Sequence, residues 1–140
     1  MTTTITSNDP SISAERNYRD LNLNFTAHPV KKDISKHINE RAIINSVKNL
    51  VSTNFYERPF RPEIGSGVRS ILFEMVDSVS GAALERQITE VIRNFEPRVT
   101  VERITASPSP DENGYNVTME FFIVNLPNPI TINFFLERIR

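Results

Sequence analysis

Few side chains in this chain are placed to do chemistry. Two histidines, His28 and His37, lie nine positions apart in a polar stretch, and no H-E-x-x-H run accompanies them. Zinc hydrolysis needs clustered ligands on one face, so both read as surface histidines. A Ser-His-Asp triad would have to use one of the two, and no G-x-S-x-G precedes a helix. Gly65-Ser66-Gly67 is too short for a phosphate loop and lacks its lysine; it reads as a turn and a helix start. Glycoside hydrolysis needs only two carboxylates, one held in an apolar pocket to keep its proton. Glu74 and Asp77 are three apart, and Glu120 lies between Met119 and Phe121. Strand alternation, however, turns Glu120 away from those two neighbours.

One run is locally odd. Phe95-Glu96-Pro97-Arg98 falls where a helical pattern ends. A carboxylate there faces the negative end of the helix dipole, a cost of about 0.3–1 kcal/mol. Proline then forces Glu96 out of the helical region. A glutamate at a poor site, beside a rigid turn and an arginine, reads as a positioned ion pair. It belongs either inside the molecule or at an interface.

The elements that must hold these residues follow from periodicity. Residues 1–17, rich in Thr, Ser and Asn, cannot bury enough surface to offset their ordering entropy, so a flexible tail is expected. Leu21, Leu23 and Phe25 alternate with Asn22 and Asn24 as in a half-buried strand, and a loop should follow to Ile38. Ile43, Ile44, Val47, Leu50 and Val51 form one face of a helix over about 40–52, with Asn39 as its N-cap. Residues 53–65 should be a proline-stiffened connector pinned to the core by Phe55, Tyr56 and Phe60. A short helix should run from Ser66 or Gly67 to about Val76, with Val68, Ile71, Leu72 and Met75 inward. Ser80 should cap a third helix, whose Leu84, Ile88, Val91, Ile92 and Phe95 share a face and which Pro97 stops.

The period then changes to two. A strand is expected over Val99–Thr105, with a bulge near Glu102–Arg103 because Val99 and Val101 are out of phase with Ile104. Pro108, Pro110 and Asp111–Gly114 should turn the chain. A second strand runs over Tyr115–Ile123 and a third from Ile130 to about Glu137, with Ile130, Ile132, Phe134 and Leu136 inward. The fold class is therefore α+β: about three helices packed on a small antiparallel β-meander.

Composition narrows the function classes. The chain has 140 residues and no cysteine, which excludes disulfides and thiol chemistry and fits a reducing compartment. The apolar runs are too short for a membrane span. Sixteen basic residues oppose 17 acidic ones, so the balance is not that of a nucleic-acid surface. The first 70 residues carry 10 basic and 7 acidic groups and the last 70 carry 6 and 10, a split that suits oriented packing against neighbours.

Three stretches together resemble one family, the sheath-initiating baseplate wedge proteins of contractile phage tails, the GPW and TssE-like group. The helix Ala42–Thr53 leads into Glu57-Arg58-Pro59-Phe60-Arg61-Pro62-Glu63-Ile64-Gly65. Ser70-Ile71-Leu72-Phe73-Glu74 is similar to the family's Leu-Phe-Glu segment. Ile92-Arg93-Asn94-Phe95-Glu96-Pro97-Arg98 is similar to its aromatic–Glu-Pro-Arg motif. Arg19–Phe25 and His28-Pro29-Val30 also look like versions from large phages. The likeness covers about 18–138, as one wedge domain after the tail 1–17.

The resemblance implies a structural part with no catalysis and no cofactor or metal. Glu96, Pro97 and Arg98 would bind the wedge core bundle. The last strand, at Ile130, Thr131, Ile132, Asn133 and Phe134, would pair with strands of the tail sheath protein. Partners would be other baseplate wedge proteins, the sheath and tube or hub proteins, at six copies per baseplate, with assembly in the host cytoplasm. A peptidoglycan-degrading, lysozyme-like tail enzyme is the alternative, because the family is often described that way.

Overall fold

The structure is a computed structural model. It describes residues 18–22, 26–27, 29–30, 32–34 and 36–139 except Asn125, with backbone only at 36–38. The expectations for the tail 1–17, for Leu23 and Phe25, for His28 and for the side chain of His37 lie outside the described residues.

Eight elements follow in order: β1 Arg19–Leu21, β2 Lys36–Ile38, α1 Glu40–Ser52, α2 Val68–Ile71, α3 Ser78–Phe95, β3 Val99–Ser109, β4 Gly114–Ile123 and β5 Ile130–Glu137. β1 and β2 form a small antiparallel pair. The expected loop before Ile38 therefore contains a strand, and Leu21 is exposed rather than half-buried. The three-stranded antiparallel sheet has the order β3-β4-β5, so the meander and the α+β class are as expected.

The core lies between the helices and one face of this sheet. Ile43, Val47 and Val51 of α1 and Leu84, Ile88 and Ile92 of α3 meet Tyr115, Val117, Met119 and Phe121 of β4. Each such side chain contributes about 1.5–3 kcal/mol on burial. Alternation along β4 is regular, and Glu120 lies on the face opposite Met119 and Phe121. The register of β3 on β4 shifts between Val101 and Arg103, which is the expected bulge.

Several local expectations fail for tertiary reasons. Asn39 precedes α1 at φ 53, and its side chain makes no capping bond; its backbone amide instead donates to the Tyr18 carbonyl at 2.7 Å. Asp77, not Ser80, caps α3 by accepting from the Ser80 amide at 2.7 Å. That bond lowers the Asp77 carboxyl below its ordinary value, against a smaller opposing effect of burial. α2 stops at Ile71, and Met75 is exposed. The buried Tyr115 explains the stop: its hydroxyl donates to the Met75 carbonyl and accepts from the Asp77 amide, both at 3.1 Å, which draws this segment out of a helix.

The connector is also held differently. Phe55, Tyr56 and Phe60 are exposed, and none pins the loop to the core. Backbone bonds close it instead: Ser66 amide to Thr53 carbonyl at 2.7 Å and Tyr56 amide to Pro62 carbonyl at 2.9 Å. The Glu57 carboxylate accepts from the Asn54 amide at 2.8 Å. The two loop ends approach so closely that a Cβ on Gly65 would stand 2.5 Å from the Asn54 backbone.

α3 runs along the outer edge of β3, and Gly81 permits the approach. A Cβ there would stand 2.9 Å from the Ala106 carbonyl oxygen. Alanine is the better helix former by about 0.8–1 kcal/mol. Gly81→Ala is nevertheless expected to destabilise the protein, by about 1–3 kcal/mol, because backbone must shift against backbone. Urea unfolding measures this; a more stable variant would contradict the close contact.

Candidate functional site

The Glu96-Pro97-Arg98 run forms a compact node. Glu96 is the C-cap of α3, and its amide donates to the Ile92 carbonyl at 2.8 Å. The Val99 amide donates back to the Glu96 carbonyl at 3.1 Å, closing a four-residue turn with Pro97 at its second position. The Arg98 carbonyl accepts from the Val124 amide at 2.9 Å, so the turn feeds directly into the sheet.

The side chains close on one another. Arg98 Nε donates to Glu96 Oε1 at 2.5 Å and Arg98 Nη2 to Glu96 Oε2 at 2.6 Å, a bidentate fork. Ser46 of α1 donates its hydroxyl to Glu96 Oε2 at 2.7 Å and accepts from Arg98 Nη2 at 3.3 Å. The guanidinium carbon lies 5.0 Å from the centre of the Tyr18 ring, within cation–π range. Glu96 is only 2% exposed, whereas the Arg98 side chain keeps 30% of its surface in water. Pro97 is exposed. Burial pushes the Glu96 carboxyl up, but the bonds from Arg98 and Ser46 and the charge of Arg98 outweigh it, so it sits below its ordinary value. The bonds that Arg98 donates to the Glu96 carboxylate raise Arg98 in turn.

The run is therefore an internal ion pair whose outer face is Pro97 and part of a fixed guanidinium. Its hydrogen bonds use Nε and Nη2, and Nη1 takes part in none of them. Ser46 and Tyr18 complete the node, and sequence reasoning missed both. They lie 52 and 80 positions from Arg98, and a single serine at the border of a helical stripe carries no signal of its partner.

The second group of expected residues lies on β5, at one end of the strand order. Ile132 is buried, and Ile130, Phe134 and Leu136 pack against the core; Thr131 and Asn133 are exposed. In an antiparallel pair, alternate residues aim their backbone groups at the partner and away from it. The Arg138 amide donates to the Asn113 carbonyl at 2.9 Å, in register with Glu137↔Gly114. It follows that Ile130, Ile132, Phe134 and Leu136 bond to β4, while Thr131, Asn133, Phe135 and Glu137 direct their amides outward. Among the described residues nothing takes those four amides. Further on, the Ile139 amide donates to the Leu72 carbonyl at 3.0 Å.

The opposite edge is partly covered. The Val124–Arg98 bond fixes the alternation there, so Val99, Val101, Ile104, Ala106 and Pro108 of β3 face outward, with the bulge between Val101 and Ile104. The Val99 amide is bonded in the turn described above. The Ala106 amide donates to Glu85 Oε1 of α3 at 2.8 Å. Pro108 has no amide, and this outward position is where a strand tolerates proline. Glu85 was invisible in the sequence, since its partner is 21 positions away.

Two of the carboxylates weighed for hydrolysis have other partners, and Glu120 lies on the far face of the sheet. Glu74 is exposed and accepts from the Ser80 hydroxyl at 3.2 Å. Asp77 caps α3, and its lowered carboxyl is opposite to what a general acid needs. Among the described residues no group of three or more His, Cys, Asp or Glu is placed to hold a metal.

This fold is shared with solved baseplate and tail proteins. A protein in the baseplate of the anti-feeding prophage superposes with a TM-score of 0.68 at 20% identity, covering 80% of this chain and 90% of that one. A Geobacter sulfurreducens protein described as a tail lysozyme superposes with a TM-score of 0.67 at 22% identity, covering 72% and 92%. A chain of the pyocin R2 baseplate superposes at 0.56 and 16% identity, covering 70% and 96%. In sequence, baseplate wedge protein gp25 of Enterobacteria phage T4 is 31% identical over 99 residues, 71% of this chain and 75% of that protein. The model of the baseplate wedge protein gp25 family matches residues 38–124, and the chain belongs to that family. The match spans α1 through β4, including the Glu-Pro-Arg turn.

Burial sets the expected cost of substitution at the node. Alanine at Glu96 or Arg98 removes one partner of the fork. With the carboxylate enclosed, each change breaks a buried pair, a cost of about 3–5 kcal/mol, lower for Glu96→Ala because Arg98 stays partly hydrated. Because folding lowers the Glu96 carboxyl, its contribution is complete above the ordinary value of 4.5 and is lost as pH falls through the folded value. Thermal melts of wild type and Glu96→Gln should differ at pH 7 and converge below pH 4.5; a gap independent of pH would exclude the ion pair as its source.

Proposed function

We propose that this protein is a non-enzymatic wedge component of a contractile-tail baseplate that docks on the wedge core and starts sheath growth by strand addition. The observation that carries the reading is the contrast between the two edges of the sheet. Along β3 the row of outward amides is broken by Pro108, by the Ala106 amide held on Glu85 and by a bulge between the Val101 and Ile104 amides, means by which proteins hinder unwanted pairing. β5 offers four outward amides in a row. Family membership supplies the context: a wedge protein is built into an assembly, where an open edge is useful. The sheath strand would bond to Thr131, Asn133, Phe135 and Glu137, with Ile130, Ile132 and Phe134 holding β5 on the core.

Docking on the wedge core would use the outer face of the Glu-Pro-Arg node. Arg98 and Pro97 contact the partner, and Glu96 acts as a positioning residue that holds the guanidinium in one orientation. Other baseplate proteins, the sheath and tube or hub proteins are the partners in this reading. Six copies per baseplate follow from sixfold symmetry, with assembly in the host cytoplasm and a final place in the virion tail. The tail 1–17 and one wedge domain over 18–140 complete the proposed organisation.

Asn133→Pro tests the strand-pairing step. Its amide points away from β4, so the substitution should leave the melting temperature nearly unchanged while removing a donor the incoming strand needs. Particles carrying it should have baseplates and tubes but no attached sheath by electron microscopy. Normal sheaths would refute pairing at this edge.

Zymograms on peptidoglycan, run from acid to neutral pH, are expected to show no clearing by the purified protein. Clearing that disappears on substitution of a single carboxylate would establish the hydrolase instead.

A further inference from the structure

A cavity of about 240 Å3 opens beside the outer edge of β5. Its apolar walls include Val51 of α1, Val68 and Leu72 at α2, and Leu136 and Ile139 at the end of the sheet, and β5 also borders it at Phe135 and Glu137. Ser52, the exposed last residue of α1, and Arg69 lie at its border. The cavity occupies the place where a fourth strand would continue the sheet on its helix-facing side. Leu136 belongs to that face, because it packs against the core while Phe135 and Glu137 on either side are exposed. A residue paired with Leu136 on an added strand would share the face and point at the cavity. Residues paired with Phe135 and Glu137 would point to the polar side, which carries Asn116, Thr118 and Asn133. The groove ends where the Ile139 amide meets the Leu72 carbonyl.

We propose that this cavity receives one apolar side chain, of leucine, isoleucine or phenylalanine size, from the strand that adds along β5, and so fixes the register of that strand. The inference rests on the reading of β5 as the strand-adding edge. Backbone pairing alone is permissive, since any non-proline strand can slide by two residues and keep its bonds. A single apolar cavity at the closed end of the groove removes that freedom: only one register seats the side chain. The partner is therefore a sheath segment of alternating pattern with a large apolar residue opposite Leu136. The row of outward amides argues for a strand rather than a helix or a small molecule as the occupant.

The test titrates the full-length protein with the purified sheath subunit of the same particle by calorimetry. Ser52→Trp places a ring at the cavity mouth from a position already exposed, and Ser52→Ala is its control. Ser52→Trp should weaken binding about ten- to hundredfold, the equivalent of losing one buried aliphatic side chain. Ser52→Ala should bind as wild type, and Asn133→Pro should abolish binding. Wild-type affinity for Ser52→Trp with loss for Asn133→Pro would overturn the cavity proposal and leave strand addition intact. Wild-type affinity for both would overturn both. An alanine scan of the bound sheath segment gives a readout independent of folding in the variants. One apolar position should dominate it, and a scan with no such position overturns the proposal. Sedimentation of the protein alone should show no self-association through this edge; a dimer dissociated by Ser52→Trp would assign the cavity to a second copy instead.

Discussion

The enclosed Glu96 carboxylate is the constraint around which the rest is arranged. A buried charge is tolerated only when its oxygens are paired and hydrogen-bonded. Here the partners come from three places: Arg98 two residues on, Ser46 in the middle of α1, and through Arg98 the ring of Tyr18. Satisfying one carboxylate therefore fixes how α1 lies against the end of α3. It also fixes where the chain turns into β3, because the Arg98 carbonyl already bonds to Val124. A helix end that is electrostatically poor for a glutamate becomes acceptable because the neighbouring arginine neutralises it.

From that turn the sheet takes its orientation. β3 leaves the node with α3 along its outer side, and the absence of a side chain at Gly81 lets the helix approach the Ala106 carbonyl. Glu85 on the same helix then reaches the Ala106 amide. The helix that ends in the node thus covers part of one sheet edge, at Ala106, and β5 is left on the far side. The asymmetry between the edges follows from the path of one helix. In a solitary protein an uncovered edge invites aggregation; in a family of assembly components it is a means of joining a neighbour.

The connector over 53–65 shows a different balance. Tyr56 and Phe60 adopt positive φ, at 65° and 71°, which is unfavourable for bulky side chains. The loop holds them there by backbone bonds to Pro62 and Thr53 and by the Glu57 carboxylate, and it leaves both rings exposed. Strain of this kind persists where the surrounding bonds over-determine the backbone. The loop base, at Ser52 and Asn54, also borders the cavity beside β5. The connector, α2 and the last strand therefore form one continuous side of the molecule, distinct from the node at the other end of α3.

Periodicity alone determined the three helices, the meander and the bulge near Arg103, because each depends on residues close in sequence that repeat at 3.6 or 2. The order of motifs was enough to point to the family. The oddness of Glu96 was legible too, since a carboxylate before proline at a helix end conflicts with local electrostatics. What the sequence left open was where each conflict is resolved. Only the tertiary structure supplied Ser46 and Tyr18 to the node and Glu85 to the Ala106 amide. Only packing decided that Tyr115 would draw Met75 out of a helix, and that Phe55, Tyr56 and Phe60 would face water. The openness of β5 belongs with these. An edge is defined by what does not lie beside it, and that depends on the path of α3, which no local pattern encodes.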